Sequence, residues 1–333
     1  MDTRVTMQDV AQVAGVSAKT VSNVLRGAGG ASEETRQRVL AAAASLGYRI
    51  NAGAAALRSG RHGAVALAVP TLQQPIFADL AAEVMQAATD LQVVLELTGG
   101  KREREAALLA GSWRSQCDAL ILLPRSITPG HDAADARGVV LVAEDGPTHL
   151  PRLSCSSASQ TLLVAGHLHQ LGRTRAAVLG VNEPADQWTE TCSHGLQSAG
   201  IEVPPGAVLR LTDPDSVRSG VEAVARLLHC GPRVDAVVCH NDAVAAGAVT
   251  ALQRHSARLP EDVVVIGRGD TETAAFASPG ITSVSCGAQA LAAELVRTVT
   301  AVLAGAPAPP PEIEVAPALT IRESSRRPAP TSA

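Results

Sequence analysis

Aromatic side chains are nearly absent: two Trp, one Tyr and two Phe occur in 333 residues. An interior must therefore be aliphatic, and a hydrophobic share of 46% is enough to build one. Cysteine is sparse as well. The six (Cys117, Cys155, Cys192, Cys230, Cys239, Cys286) include no Cys-x-x-Cys pair, which argues against zinc-ribbon and thioredoxin-type chemistry. They read as reduced, buried thiols, with no metal site expected. No apolar run approaches the length of a membrane helix. The start, MDTRVTMQDVA, lacks a basic segment leading into an apolar one, so the expected location is the cytoplasm. No glycine-rich cofactor loop, P-loop or nucleophile elbow follows a strand-like run. No cofactor and no catalytic set are expected, and the chain does not read as an enzyme.

The length points to two or three domains. The formal net charge of −4 hides a division. Residues 1–63 hold eight basic and four acidic side chains, or +4, leaving 20 basic and 28 acidic residues, or −8, for the remainder. A basic head on an acidic body points to a polyanion as partner of the head alone.

The head has a readable pattern in VTMQDVAQVAGVSAKTVSNVL, residues 5–25. Thr6 and Asp9 form an approximate capping box, and Val10, Val13 and Ala14 share one helical face. Gly15 ends that helix, and Ser17 caps a second one whose apolar face is Val21, Val24 and Leu25. Ser32 caps a third helix, apolar at Val39, Leu40, Ala43 and Leu46. Two short helices joined by a glycine turn describe a helix-turn-helix. Ala18, Lys19, Ser22 and Asn23 are left facing outward on the second helix. Lys suits guanine O6 and N7, Asn suits adenine N6 and N7, and Ala suits a thymine methyl. The hydroxyls of Thr6, Ser17, Thr20 and Ser22 are candidate phosphate donors. A plain three-helix bundle with a solvated polar face is the competing reading.

The run VTMQDVAQVAGVSAKTVSNVLRG, followed by SEETRQRVLAAAASLGYRIN, resembles the DNA-binding head of the lactose-repressor (LacI/GalR) family of transcription regulators. The resemblance implies Ala18, Lys19 and Asn23 as base readers. Family members commonly carry Arg at the position of Asn23, so the half-site is expected to differ. Asn51 to Arg58, NAGAAALR, reads as an alanine-rich helix capped by Asn51 and too short to stand alone in water. The resemblance makes it the hinge helix that forms on DNA, with Leu57 as the minor-groove wedge. Ile50 stands where the family usually has Pro, and Gly53 lies within the hinge; both predict a looser one.

Beyond Gly63, aliphatic runs alternate with amphipathic segments: AVALAVP, VVLEL, ALILLP, GVVLVA, RAAVLG, DAVVCH and VVVIG, with helices expected near Phe77–Leu91 and Ala158–Leu171. Such runs mark parallel sheets covered by helices on both faces. Their number exceeds one sheet, so the expected fold is an all-α helix-turn-helix domain followed by an α/β core of two doubly wound parallel-sheet lobes, with a cleft at the carboxyl ends of the strands. The expected organisation is a head at 4–50, a hinge and linker at 51–62, a two-lobed core at 63–323 and a disordered tail at 324–333. PPPEIEVAPALTIRESS offers a final extended crossing. The core resembles the periplasmic-binding-protein-like core of the same family through VPTLQQPIFADL, HLHQLGRTRAAVLG, VDAVVCHNDAVAAGAVTAL and LPEDVVVIG.

That resemblance implies a sugar-type effector held by an Arg three residues before a Gly, by an Asn-Asp after one strand and by an Asp after another. Asn241 and Asp242 match the second element. Cys192, before Gly195, stands in place of the Arg, and Gly269 in place of the last Asp. Phe77, Asp145 and Trp188 complete the candidate lining, Trp188 as a stacking surface. His167 and His169 make a poor metal pair, Cys239-His240-Asn241-Asp242 an implausible catalytic set, and Arg268-Gly269-Asp270 an adhesion tripeptide without meaning here. The expectation is a sequence-specific regulator, a repressor by analogy, binding a pseudo-palindromic double-stranded operator as a homodimer under control of a small molecule. No leucine heptads follow Thr320, so no tetramerising coiled coil is expected. A solute-binding protein without a regulatory role is the alternative.

Overall fold

The computed structural model describes residues 5–25, 30–48, 61–127, 138–143, 150–181, 187–213, 216–306, 310 and 312–326. The chain divides into two compact units, residues 1–62 and 63–333.

The first unit contains α1 (Met7–Ala14), α2 (Ala18–Leu25) and α3 (Glu33–Ser45). Thr6 and Asp9 make a complete capping box: Thr6 N–H and Oγ1 both donate to Asp9 Oδ2 at 2.7 Å, and Asp9 N–H donates to Thr6 Oγ1 at 3.4 Å. Gly15 stops α1 at φ 65°, a conformation costly for residues with a Cβ. Ser17 and Ser32 accept from the N–H groups of Thr20 and Thr35 at the starts of α2 and α3. Val10, Ala11, Ala14, Val21, Val24, Val39, Ala42 and Ala43 make the core of the head. Two side chains expected inside are exposed, Val13 and Leu40. The inner stripe of α1 runs through 10, 11 and 14, and that of α3 through 39, 42, 43 and 46, so each omits the expected neighbour.

The second unit is built on two sheets, each six-stranded among the described residues. The first joins β1 (Ala64–Val69), β2 (Gln92–Leu97), β3 (Ala119–Leu122), β4 (Val139–Ala143), β5 (Arg152–Ser154) and β11 (Glu312–Glu314) in the order β11-β5-β4-β3-β1-β2. The second joins β6 (Ala176–Val181), β7 (Val208–Leu211), β8 (Ala236–Cys239), β9 (Val264–Arg268), β10 (Thr282–Ser285) and β12 (Ala318–Thr320) in the order β12-β10-β9-β8-β6-β7. All pairings are parallel except β10 with β12.

Both faces of the first sheet are buried, and β1 shows how. Val65, Leu67 and Val69 pack with α4 (Pro75–Ala87) and α11 (Ala288–Leu303). The intervening Ala64, Ala66 and Ala68 pack on the other face with Leu108 and Leu109 of α5 (Arg102–Leu109) and with Trp113. Alternation thus sorts bulk by face while leaving no polar position. In the second lobe a single core joins the strands to α6 (Ser157–Gln170), α7 (Trp188–Ser198), α8 (Val217–Cys230) and α9 (Asp242–Arg254), with the short α10 (Glu272–Phe276) beside them.

The chain crosses between the lobes after β5, after β10 and after β11. The closing segment is therefore two strands, one for each sheet. It also ends later than expected. Ser324 and Ser325, assigned to a disordered tail, are fully buried. Ser324 Oγ donates to the Val265 carbonyl at 2.6 Å and accepts from Thr282 N–H at 2.9 Å, and Ser325 Oγ meets His167 Nε2 at 2.7 Å. The cysteine expectation also fails in part: Cys155 and Cys286 form a disulfide and Cys230 is exposed. The separation of 131 residues hides a pair that the crossovers bring together.

Candidate functional site

The head presents one face of α2. Lys19 is exposed, Thr20 and Asn23 are half-buried, and the three lie at helical positions i, i+1 and i+4. Ala18 is half-buried and packs on the head core, at the edge of that face. Ser17 is exposed, its Oγ 2.9 Å from Thr20 Oγ1.

Ser22 must be removed from the outward set, because only 7% of it is exposed. Positions 18, 21, 22 and 25 form one i, i+3, i+4, i+7 stripe, and it turns inward. A small serine fits there as an alanine would, which disguised it as a surface residue. Thr6, read as a phosphate donor, gives its hydroxyl proton to Asp9 instead. Those hydrogen bonds hold the Asp9 carboxyl below its ordinary range. Asn51 and Leu57 lie outside the described residues, as does Asp145.

In the core, the carboxyl ends of β6, β8 and β9 gather a polar and aromatic cluster. Trp188 opens α7 and is fully buried, its ring edge-on to His240 at 5.3 Å and 78°. The Arg268 guanidinium stands 5.7 Å from the centre of the same ring. Arg268 Nε donates to Gln160 Oε1 at 3.0 Å, and burial lowers the guanidinium to about 10. A guanidinium against an indole face gains cation–π stabilisation, more so once desolvated. Across the cleft, Phe77 near the start of α4 is half-buried, with the Arg125 guanidinium 6.0 Å from its ring. Ile76 Cδ1 on the same turn comes within 3.8 Å of a Cβ built on Gly269.

Two expected ligand contacts are occupied within the fold. Asn241 Oδ1 caps α9 by accepting from Val244 N–H at 2.9 Å. Asp242 Oδ2 accepts from Thr271 N–H and Oγ1 at 2.8 and 2.9 Å, and Oδ1 from Ser283 Oγ at 2.6 Å. Burial pushes its carboxyl up while these donors oppose the rise. Asp242 thus ties α9 to β10 and to the chain after β9. Trp188 likewise spends its ring on His240 and Arg268 and offers no open stacking surface.

Comparison with known proteins decides what the two units together are. A model of bacterial regulatory proteins of the lacI family matches residues 6–51, and one of the periplasmic binding protein-like domain matches 165–325. The HTH-type transcriptional regulator GntR of Pseudomonas aeruginosa is 31% identical over 312 residues, 91% of this chain and 90% of that one. The chain belongs to the LacI family. It is a DNA-binding transcriptional regulator. Two solved regulator structures share its fold. A complex of the regulator CelR with cellobiose has a TM-score of 0.66 at 27% identity, covering 96% of this chain and 100% of that one. The lac repressor dimer bound to operator and the anti-inducer ONPF has a TM-score of 0.81 at 24% identity, covering 96% and 99%.

Departures from the LacI pattern now have physical settings. Cys192, where the resemblance leads one to expect an arginine, is buried in α7 at 1% exposure. Gly269 has φ 123° and sits where a Cβ would lie 3.3 Å from both Asp242 Oδ2 and Thr271 Cγ2. An Asp there would meet backbone strain and a neighbouring carboxylate. The sequence reading missed Arg268, Gln160 and His240 as a group around Trp188. The available signal was a charged residue ending an otherwise aliphatic strand.

Proposed function

We propose that the protein binds a pseudo-palindromic operator as a homodimer in the cytoplasm, and that a small molecule in the interlobe cleft changes that affinity. The carrying observation is the outward face of α2, where Lys19 and Asn23 stand beside Thr20 on the net-basic head. A helix of this kind enters the major groove by its N-terminal residues, so Lys19 meets guanine O6 or N7 and Asn23 meets adenine. Ala18 contributes its methyl at the edge, and Ser17 and Thr20 hydroxyls approach phosphates. Two heads on a two-fold axis read two half-sites. Asn51 caps the hinge helix and Leu57 is its minor-groove wedge.

The effector is a small polar molecule of the sugar type, in keeping with the cellobiose held by CelR. Phe77 from one lobe and Arg268 and His240 from the other border its cleft, with Trp188 packed behind them. Such an effector alters operator affinity through lobe movement, a coupling of about 1–3 kcal/mol. Repression is the mode assigned.

Binding of the full chain and of residues 63–333 to a pool of random duplexes, across a salt series, tests the reading. The full chain should retain DNA with an affinity that falls linearly on logarithmic axes as salt rises, and the truncated chain should retain none. Equal retention by both would contradict it.

A further inference from the structure

Three segments carry the chain between the lobes, and they meet at two sulfurs. Cys155 follows β5 and precedes Ser156, the N-cap of α6. Cys286 follows β10 and precedes Gly287, the N-cap of α11. The two are bonded, with Cα atoms 6.1 Å apart, a spacing that a bridge spans without backbone movement. The carbonyl of Val315, on the third crossover, lies 3.1 Å from Cys286 Sγ, where it accepts from the thiol once the bridge is open. Lobes of this kind move about their connecting segments. The bridge therefore fastens two of the three connecting segments together.

Gln160 connects this point to the cleft. Its Nε2 donates to the Cys155 carbonyl at 2.8 Å and to Cys155 Sγ at 3.2 Å. Its Oε1 accepts from Arg268, which lies over Trp188. One amide side chain thus reads the state of the sulfur on one side and the cleft arginine on the other.

The other described thiols are placed differently. Cys117 and Cys239 are buried, and burial pushes both thiols up, away from the reactive thiolate form. Cys192 is buried as well. Cys155 is half-buried at the start of a 14-residue helix and beside an amide donor, the setting of an attacking sulfur.

We propose that Cys155 and Cys286 are a reversible dithiol–disulfide site through which a low-molecular-weight disulfide governs lobe movement and, with it, operator affinity. The operator half rests on the regulator reading above. In the cytosol of mesophiles, disulfides that form are chiefly transient catalytic or sensing bonds. The Cys155 thiolate attacks the small disulfide RSSR, forming Cys155–S–SR and releasing RS⁻. The Cys286 thiolate then attacks Cys155 Sγ, forming the protein bridge and releasing the second RS⁻. Two protein thiols are oxidised, one RSSR is reduced, and the two protons pass to the two RS⁻. Excess thiol reverses both steps.

The test uses the full-length protein equilibrated in mixtures of reduced and oxidised glutathione. Alkylation with mass spectrometry reads the bridge, hydrogen exchange reads the crossovers, and fluorescence anisotropy with a duplex selected from a random pool reads affinity. Oxidation should consume two thiols and yield a linked Cys155–Cys286 peptide. Exchange should slow around residues 153–157, 284–288 and 313–318, and operator affinity should shift by roughly fivefold or more. Cys155→Ser and Cys286→Ser should behave as the reduced protein in every mixture, and Cys286→Ala provides a second substitution if either serine variant melts early. Absence of the linked peptide overturns the proposal, as does a bridge that alters neither exchange nor affinity. A response that survives in Cys286→Ala but vanishes in Cys230→Ser also overturns it. Bridging with slowed exchange but no DNA binding in any mixture keeps the dithiol site and overturns the regulator reading instead. Normal DNA binding without bridging does the reverse.

Discussion

The head and the core use polar side chains in opposite ways. On α2 of the head, Lys19, Thr20 and Asn23 are held at the surface by a core made of valine and alanine. In the two lobes, the polar residues that look most functional in sequence are turned inward and consumed. Asp242 takes three hydrogen bonds, and Glu105, fully buried, accepts from the N–H groups of Arg125, Ser126 and Ile127 at 2.9, 3.0 and 3.1 Å. His167, Thr282 and Ser325 form another such chain. Polarity on the outer face of α2 is therefore left at the surface, and polarity deep in the core is mostly fastening. A buried acceptor that satisfies several donors costs far more to remove than a surface donor facing water.

The contrast is sharpest at Asp242. Asp242→Ala orphans Thr271 N–H, Thr271 Oγ1 and Ser283 Oγ, so chemical denaturation should show a loss of about 3 kcal/mol or more. An unchanged midpoint with lost effector response would return Asp242 to the ligand side and break the comparison. Lys19→Ala should leave the denaturation curve in place and cost about 1–3 kcal/mol of operator affinity, relaxing preference at one position per half-site. A uniform loss on all sequences would make Lys19 a phosphate contact.

Mild acid, between pH 7 and 5, should act on the core through His167. Burial holds the His167 imidazole below its ordinary 6.5 in the folded state, so the unfolded chain takes up the proton first. Stability present above that value is lost as pH falls below it. Calorimetry between pH 7 and 5 should record the decline, and His167→Gln should flatten it; an equal slope in the variant assigns the effect elsewhere. The smallest effect belongs to Ser22→Ala, which should change operator affinity by under about 0.5 kcal/mol. A loss as large as that of Lys19→Ala would put Ser22 back among the DNA contacts.

Much of this was legible in sequence for reasons that are local. Capping residues, the glycine stop and apolar spacing announced the three head helices, and aliphatic runs announced the central strands. The short β5, β7 and β10 escaped because RLS, VLRL and TSVS mix polar residues into runs of three or four. Ser22 misled because a small polar residue on an inner stripe is decided by what packs over it. The roles of Asp242 and of the Cys155–Cys286 pair depend on partners 29 to 131 residues away, which no window of sequence contains. The family resemblance placed Asn241 and Asp242 near the cleft, yet the donors they meet are set by Thr271, Ser283 and the turn at Val244.

Selection of bound duplexes from a random pool by the full-length protein, near physiological salt, tests the central claim most directly. The account predicts an enriched two-fold symmetric site with a deformable central step, its half-sites carrying a guanine and an adenine within reach of Lys19 and Asn23. Enrichment of a single asymmetric half-site, or of no sequence at all, would contradict it.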